Sequence, residues 1–185
     1  MFPIFFAVYF EKKSLKKALF ENFSFDSFRK HLKKSLLLGL ILATIYLSSF
    51  LIFKNFIDLE SVKTNLSTLI DLDAKKLIFV GAYIIIINSI LEEFFWRAFL
   101  FAKFKTVSPK FIAYLIPAIA FSFHHVMFYY NWFTLPIFIT VTIGLIVYSL
   151  IMNKIFDYSK DLFSCWLIHA LVDIVQISIA FMIFL

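Results

Sequence analysis

The sequence predicts an all-α, polytopic transmembrane helix bundle of about five full spans, preceded by a short N-terminal apolar segment and an interfacial helix. Three observations carry that expectation. Of the 185 residues, 62% are hydrophobic and only 16% charged, whereas soluble domains average about 45–50% apolar and about 25% charged. The apolar residues gather into runs near the roughly 20 residues that a helix needs to cross a hydrocarbon core. Basic residues fill stretches between the runs, as the positive-inside rule expects of cytoplasmic loops. That clustering sets the formal charge of +6 apart from a nucleic-acid surface, and the 27 Phe lie mostly within the apolar runs, where they face lipid or pack. The bilayer is the expected partner; nucleic acid is not.

The elements follow in chain order. Residues 1–10 are apolar but too few to cross, and their positive charges come after them at Lys12 and Lys13, the reverse of a secretory signal. They read as a half-helix, a re-entrant segment or the end of a longer span. Residues 11–34 carry eight Lys or Arg against Glu11, Glu21 and Asp26, with apolar residues spaced so that part lies as a helix among lipid headgroups. The chain thus divides into an N-terminal segment, 1–34, apolar and then basic on the cytoplasmic surface, and a transmembrane bundle, 35–185. Residues 35–53 form the first span. A connection at 54–76, with four basic and four acidic residues, suits the outer side. The second span runs over 77–104 and ends in a basic inner turn with Lys103, Lys105 and Lys110. A third span covers 111–130, Asn131 and Trp132 mark an outer turn, and a fourth covers 133–152. After an inner loop at 154–161, residues 162–185 make the fifth span, which puts the C-terminus outside. Cys165 is the sole cysteine, so no intrachain disulfide forms, and its apolar run makes it a packing residue.

The informative stretch is NSILEEFFWRAFLF, residues 88–101. Residues 77–91 carry no charge, and apolar sequence resumes after Arg97. An ionised group at the bilayer centre costs at least about 2.5–3.5 kcal/mol, so three within six residues face a protein interior and have work to do. At helical spacing Glu93 and Arg97 are i,i+4 neighbours and neutralise one another, while Glu92 has Trp96 at that offset and is left over for chemistry. The bland alternative is a buried ion-pair network that ties helices together. Counting about 1.5 Å per residue from the inner helix ends puts Glu92 about 18 Å, His125 about 22 Å and His169 about 16 Å deep. Within about one turn they share a level, as the polar lining of a cavity would. His124 adjoins His125 and points about 100° away; either could be the functional ring.

EEFFWR at 92–97, FSFHH at 121–125 and HALVD at 169–173 match, in order, the EExxxR, FxxxH and HxxxN/D signatures of a known family. The chain resembles the CPBP family of CAAX proteases and bacteriocin-processing proteins, also called Abi, over about 77–180. The resemblance implies an intramembrane glutamic endopeptidase with Glu92, His125, His169 and Asp173 as its catalytic set and Glu93 and Arg97 in support. It favours His125 over His124. It implies a membrane-anchored peptide or protein substrate: a prenylated CAAX protein losing its C-terminal tripeptide, or a peptide connected with bacteriocin production or self-immunity. Two departures stand out. Ala98 occupies the place of a common Gly, and Asp173 that of a frequent Asn. An ionised Asp173 cannot donate to an oxyanion, so it is protonated, orients His169, or plays another part.

The chemistry stands on its own terms as well. Peptide hydrolysis needs an activated water, donors for the developing oxyanion and a proton for the leaving amine. Glu92 with His125 supplies the first, and His169 with Asp173 the second. No cofactor is expected; zinc is the alternative, since one Glu and two His form a known catalytic set, although no HExxH helix is present. A proton-coupled transporter and a noncatalytic scaffold or immunity protein remain the competing classes.

Overall fold

The computed structural model describes residues 2–70, 73–127 and 133–184. Among these the chain is helical apart from short connections and one isolated antiparallel bridge, Ile57 to Phe133. Two short helices, α1 (Phe2–Tyr9) and α2 (Leu15–Phe20), precede the long α3 (Phe25–Phe53). α4 (Leu59–Ile70) leads to a continuous rod, α5, over 74–107. α6 (Lys110–Val126), α7 (Leu135–Ser159) and α8 (Leu162–Phe184) complete the bundle. Four stretches are long and apolar enough to cross a membrane: Leu15–Phe56, Lys75–Val107, Leu135–Ser159 and Leu162–Phe184. The fifth, Lys110–Val126, is shorter. The outer turn expected at Asn131 and Trp132, the last residues of the expected third span, Met1 and Leu185 lie outside the described residues.

The basic N-terminal stretch is helical in two pieces, α2 and the start of α3. Ser24 breaks it: its hydroxyl accepts from the Ser27 N–H at 3.3 Å and starts α3, so residues 25–34 are the first turns of the first long helix. The division drawn at 34/35 therefore falls within a helix. The polar connection 54–76 likewise holds α4, whose first turn accepts the carboxylate of Asp58 as a cap, with Ser61 N–H and Oγ donating at 3.0 and 2.7 Å. Those bonds, the backbone one foremost, hold the Asp58 carboxyl below its ordinary range. Asp73 caps α5 in the same way through the Lys76 N–H, at 2.7 Å, and is lowered for the same reason.

α3 packs along α8. Its buried residues His31, Ser35, Gly39 and Ala43 recur every fourth position as a stripe of mostly small side chains, while Leu36, Leu37, Leu40 and Ile41 are exposed on the lipid side. The approach is close: a Cβ on Gly39 would stand 3.2 Å from the Ile168 Cα. α5 also lies along α8, while α6 packs chiefly on α7. Phe101, Met152, Phe156, Leu162, Cys165 and Ile168 form the apolar core, with Cys165 wholly buried in it.

The two ends of the bundle differ in charge. At one end the basic segments meet: Lys103 pairs with Glu11, Lys105 with Asp157, and the Leu162 N–H donates to the Asn22 carbonyl at 2.8 Å. Asp161, fully buried, joins α3 to α8 there. Its Oδ1 accepts from the Ser24 N–H at 3.0 Å, and its Oδ2 accepts from the Ser164 N–H and Oγ, both at 2.9 Å. At the other end lie the Ile57 to Phe133 bridge and Lys63, whose Nζ stands 6.0 Å from the Phe184 ring.

Candidate functional site

The acidic pair sits on α5 between two widened turns. Ile84–Asn88 and Phe94–Phe101 are π-helical, with the Ser89 N–H bonding the Ile84 carbonyl and the Ala102 N–H the Arg97 carbonyl, while Ser89–Glu93 is α-helical. Such turns are rare and concentrate at functional sites. From the end of the first widened turn into the α segment the i,i+4 relation still holds. Asn88 Nδ2 donates to Glu92 Oε1 at 2.7 Å, which fixes that oxygen and leaves Oε2 directed elsewhere. Glu92 Oε2 stands 3.4 Å from His125 Nε2 on α6, longer than an ordinary hydrogen bond. It is buried and makes no hydrogen bond.

His125 has its tautomer set by its own helix. Nδ1 lies 2.9 Å from the Phe121 carbonyl oxygen, and because a carbonyl only accepts, Nδ1 carries the proton. In the neutral ring Nε2 then presents a lone pair to Glu92. His124 turns the other way: it is exposed, and its ring lies 5.6 Å from that of Trp96. The geometry thus joins Glu92 to His125 and not to His124.

Glu93 is wholly buried and holds two helices together. Its Oε1 accepts from Arg97 Nη1 at 2.9 Å, the expected i,i+4 pair, and from His169 Nδ1 on α8 at 2.7 Å. Arg97, also fully buried, donates from Nη2 to Ser149 Oγ on α7 at 3.3 Å, and its guanidinium carbon lies 4.6 Å from the centre of the Phe121 ring. Phe121 is the shared surface of the site. Its centroid is 4.2 Å from the ring of His125, 5.9 Å from Tyr148 and 6.5 Å from His169.

His169 is oriented by Glu93, not by Asp173. Its Nε2 lies 3.7 Å from Asp173 Oδ1, beyond hydrogen-bond reach, and Asp173 Oδ2 is buried without a partner. All six residues singled out in the sequence meet in one cluster spanning α5, α6 and α8, though Glu92 contacts His125 while His169 contacts Glu93. Among the described residues no group of three or more His, Cys, Asp or Glu is arranged to hold a metal ion.

Three further participants come from the structure. Asn88 begins the acidic stretch and shares the i,i+4 offset with Glu92, so spacing alone could have found it. Ser149 and Tyr148 lie in an apolar run with ordinary helix-packing composition, and nothing local distinguishes them. Tyr148 lies with its ring centroid 6.0 Å from that of His169, and its hydroxyl is buried with no hydrogen-bond partner.

The family model described as type II CAAX prenyl endopeptidase Rce1-like matches residues 74–175. The chain belongs to the Rce1-like family. The match runs from the start of α5 into α8 and contains all six site residues; α1 to α4 lie outside it. As an Rce1-like protein with several long apolar helices, the chain is an integral membrane protein of a peptidase family, with hydrolase chemistry. No curated protein and no solved structure matches it.

Proposed function

We propose that the chain cleaves a peptide bond in a membrane-anchored substrate with water activated by Glu92 and His125. The observation that carries this reading is the pair of facing acceptors, Glu92 Oε2 and His125 Nε2, 3.4 Å apart. Asn88 occupies the other carboxylate oxygen and the Phe121 carbonyl occupies the other ring nitrogen. Two lone pairs at that separation compete for one proton, and a water between or beside them supplies it. The water oxygen bonds to the scissile carbonyl carbon as its O–H breaks, and the carbonyl electrons move onto oxygen. When they return, the C–N bond breaks and the held proton passes to the leaving amine. His169, with Nδ1–H committed to Glu93, meets the oxyanion through a protonated Nε2, and Glu93 supports the resulting imidazolium. Arg97 in turn balances Glu93.

Rce1-like membership favours a prenylated CAAX substrate that loses its C-terminal tripeptide. The end where the basic segments meet is assigned to the cytoplasm, where such substrates reside. The test uses purified protein in lipid vesicles with a farnesylated CAAX peptide and its unprenylated twin. Glu92→Gln should reduce kcat by at least about 100-fold, within the range for loss of a general base, and the farnesylated peptide should be preferred. Full cleavage by Glu92→Gln would remove the glutamate from the mechanism. Loss of activity on chelation with recovery on adding zinc would assign the water to a metal instead, and proton flux without cleavage would point to transport.

A further inference from the structure

We propose that Tyr148 is a catalytic residue whose phenolic O–H donates to the oxyanion, supplying the donor that Asp173 as a carboxylate cannot. This deepens the reading given under Proposed function and rests on it.

The donors around the site are almost all committed. Asn88 serves Glu92, both Arg97 amino groups serve Glu93 and Ser149, His125 Nδ1 serves the Phe121 carbonyl, and His169 Nδ1 serves Glu93. Arg97 Nε is buried without a partner and His169 Nε2 lies 3.7 Å from Asp173 Oδ1, outside hydrogen-bond reach, and a tetrahedral oxyanion is stabilised best by two donors set in place beforehand. Asp173, one turn beyond His169, can only accept and never donate when ionised.

Tyr148 fits the vacancy in the donor set. Its hydroxyl is shut away from solvent yet makes no hydrogen bond, which is rare because a buried tyrosine O–H almost always finds a partner. Its ring packs edge-on against His169 at 6.0 Å and lies 5.9 Å from Phe121, so it belongs to the same cluster as the imidazoles. Ser149, the next residue, is bonded to Arg97, which locks this turn of α7 to α5 and holds the phenol in register. During turnover the phenol keeps its proton. The hydrogen bond forms as the carbonyl oxygen gains charge and loosens as the C–N bond breaks.

The experiment compares wild type, Tyr148→Phe, Trp166→Phe and Glu92→Gln in vesicles, on one cleavable peptide. Trp166 is included because its indole Nε1 is another buried donor without a partner. Tyr148→Phe should lower kcat by about 100-fold, as loss of one oxyanion donor does. KM should stay within about twofold and the melting temperature should hold, since in the resting site the hydroxyl bonds to nothing. Trp166→Phe should keep kcat. If Tyr148→Phe turns over at the wild-type rate while Glu92→Gln is dead, this assignment fails and the glutamate mechanism survives. If the loss in Tyr148→Phe comes with a lowered melting temperature, or falls on Trp166→Phe instead, the phenol is not the donor. Retained cleavage by Glu92→Gln would sink the underlying reading whatever Tyr148→Phe does.

Discussion

Removing Glu93 and Arg97 separately and together separates what holds this bundle from what works in it. Both side chains are fully buried and 2.9 Å apart. Taking one partner from a buried ion pair costs about 3–5 kcal/mol, because the survivor is left charged in a dry interior. Glu93→Leu strands Arg97 with only Ser149 and the Phe121 face and should cost about 5 kcal/mol, the upper end of that range. Arg97→Met leaves Glu93 its bond from His169 and should cost about 3 kcal/mol, the lower end. Additivity would put the double variant near 8 kcal/mol, the sum of those two, but with no charge left uncompensated it should lose only about 2–3 kcal/mol, mostly the unmet His169 N–H. The coupling is then about 5 kcal/mol, far above what independent sites show. Unfolding in mixed micelles by SDS titration reads the stability, and peptide cleavage reads the turnover. The double variant should fold and still fail to cleave, because losing the carboxylate that orients and supports a catalytic imidazolium costs about 10⁴-fold in serine protease triads. A double variant as unstable as the sum, or one that cleaves at the wild-type rate, refutes the division of labour.

Other outcomes follow from packing and capping. Gly39→Ala places a Cβ 2.6 Å from Leu171 Cδ1 and 3.2 Å from the Ile168 Cα. The leucine end can swing away and the backbone cannot, so overpacking should cost about 1–3 kcal/mol in the same SDS titration. Gly144→Ala meets nothing within 4 Å and should be neutral or stabilising. Asp161→Ala removes the cap of α8 and the acceptor of the Ser24 N–H together. Its cost should exceed the roughly 0.5–2 kcal/mol of an ordinary cap, with amide exchange speeding up at Ser24 and Ser164 alike. Exchange confined to Ser164 would show that the bond to Ser24 carries no weight.

Much of this architecture was legible because a bilayer leaves a chain few choices. Apolar runs of the right length must be helices, and charged residues inside them must find one another, so the EE and R on α5 and the His residues on α6 and α8 announced an interior cluster. What spacing could not reveal were the partnerships. The i,i+4 rule gave Glu93 to Arg97 but not the His169 bond, which depends on how far α8 rises before residue 169. α8 starts at Leu162, capped by Asp161, and seven residues further along His169 stands at the level of Glu93. Tyr148 and Ser149 were invisible because a Tyr-Ser pair in an apolar helix is ordinary until the neighbouring helix presents a guanidinium. The unity of 25–34 with the first span was missed because lysines suggested the headgroup region, whereas Ser24 decides where the helix begins.

The widened turns before and after the acidic pair make α5 a rotational setting as well as a span. Each holds one residue more than a regular turn, so excising a single residue from 84–88 would let that turn close to ordinary pitch with its flanks nearly in register, whereas excising one from the regular turn at 89–91 would swing everything beyond it by about 100°. Glu92 and Glu93 would then aim at acyl chains, at a penalty of at least about 2.5 kcal/mol per charge. Composition and hydropathy would scarcely register the deletion, yet the carboxylate would no longer meet the imidazole. The azimuth of this one rod, as much as the identity of its side chains, is what the interior chemistry depends on.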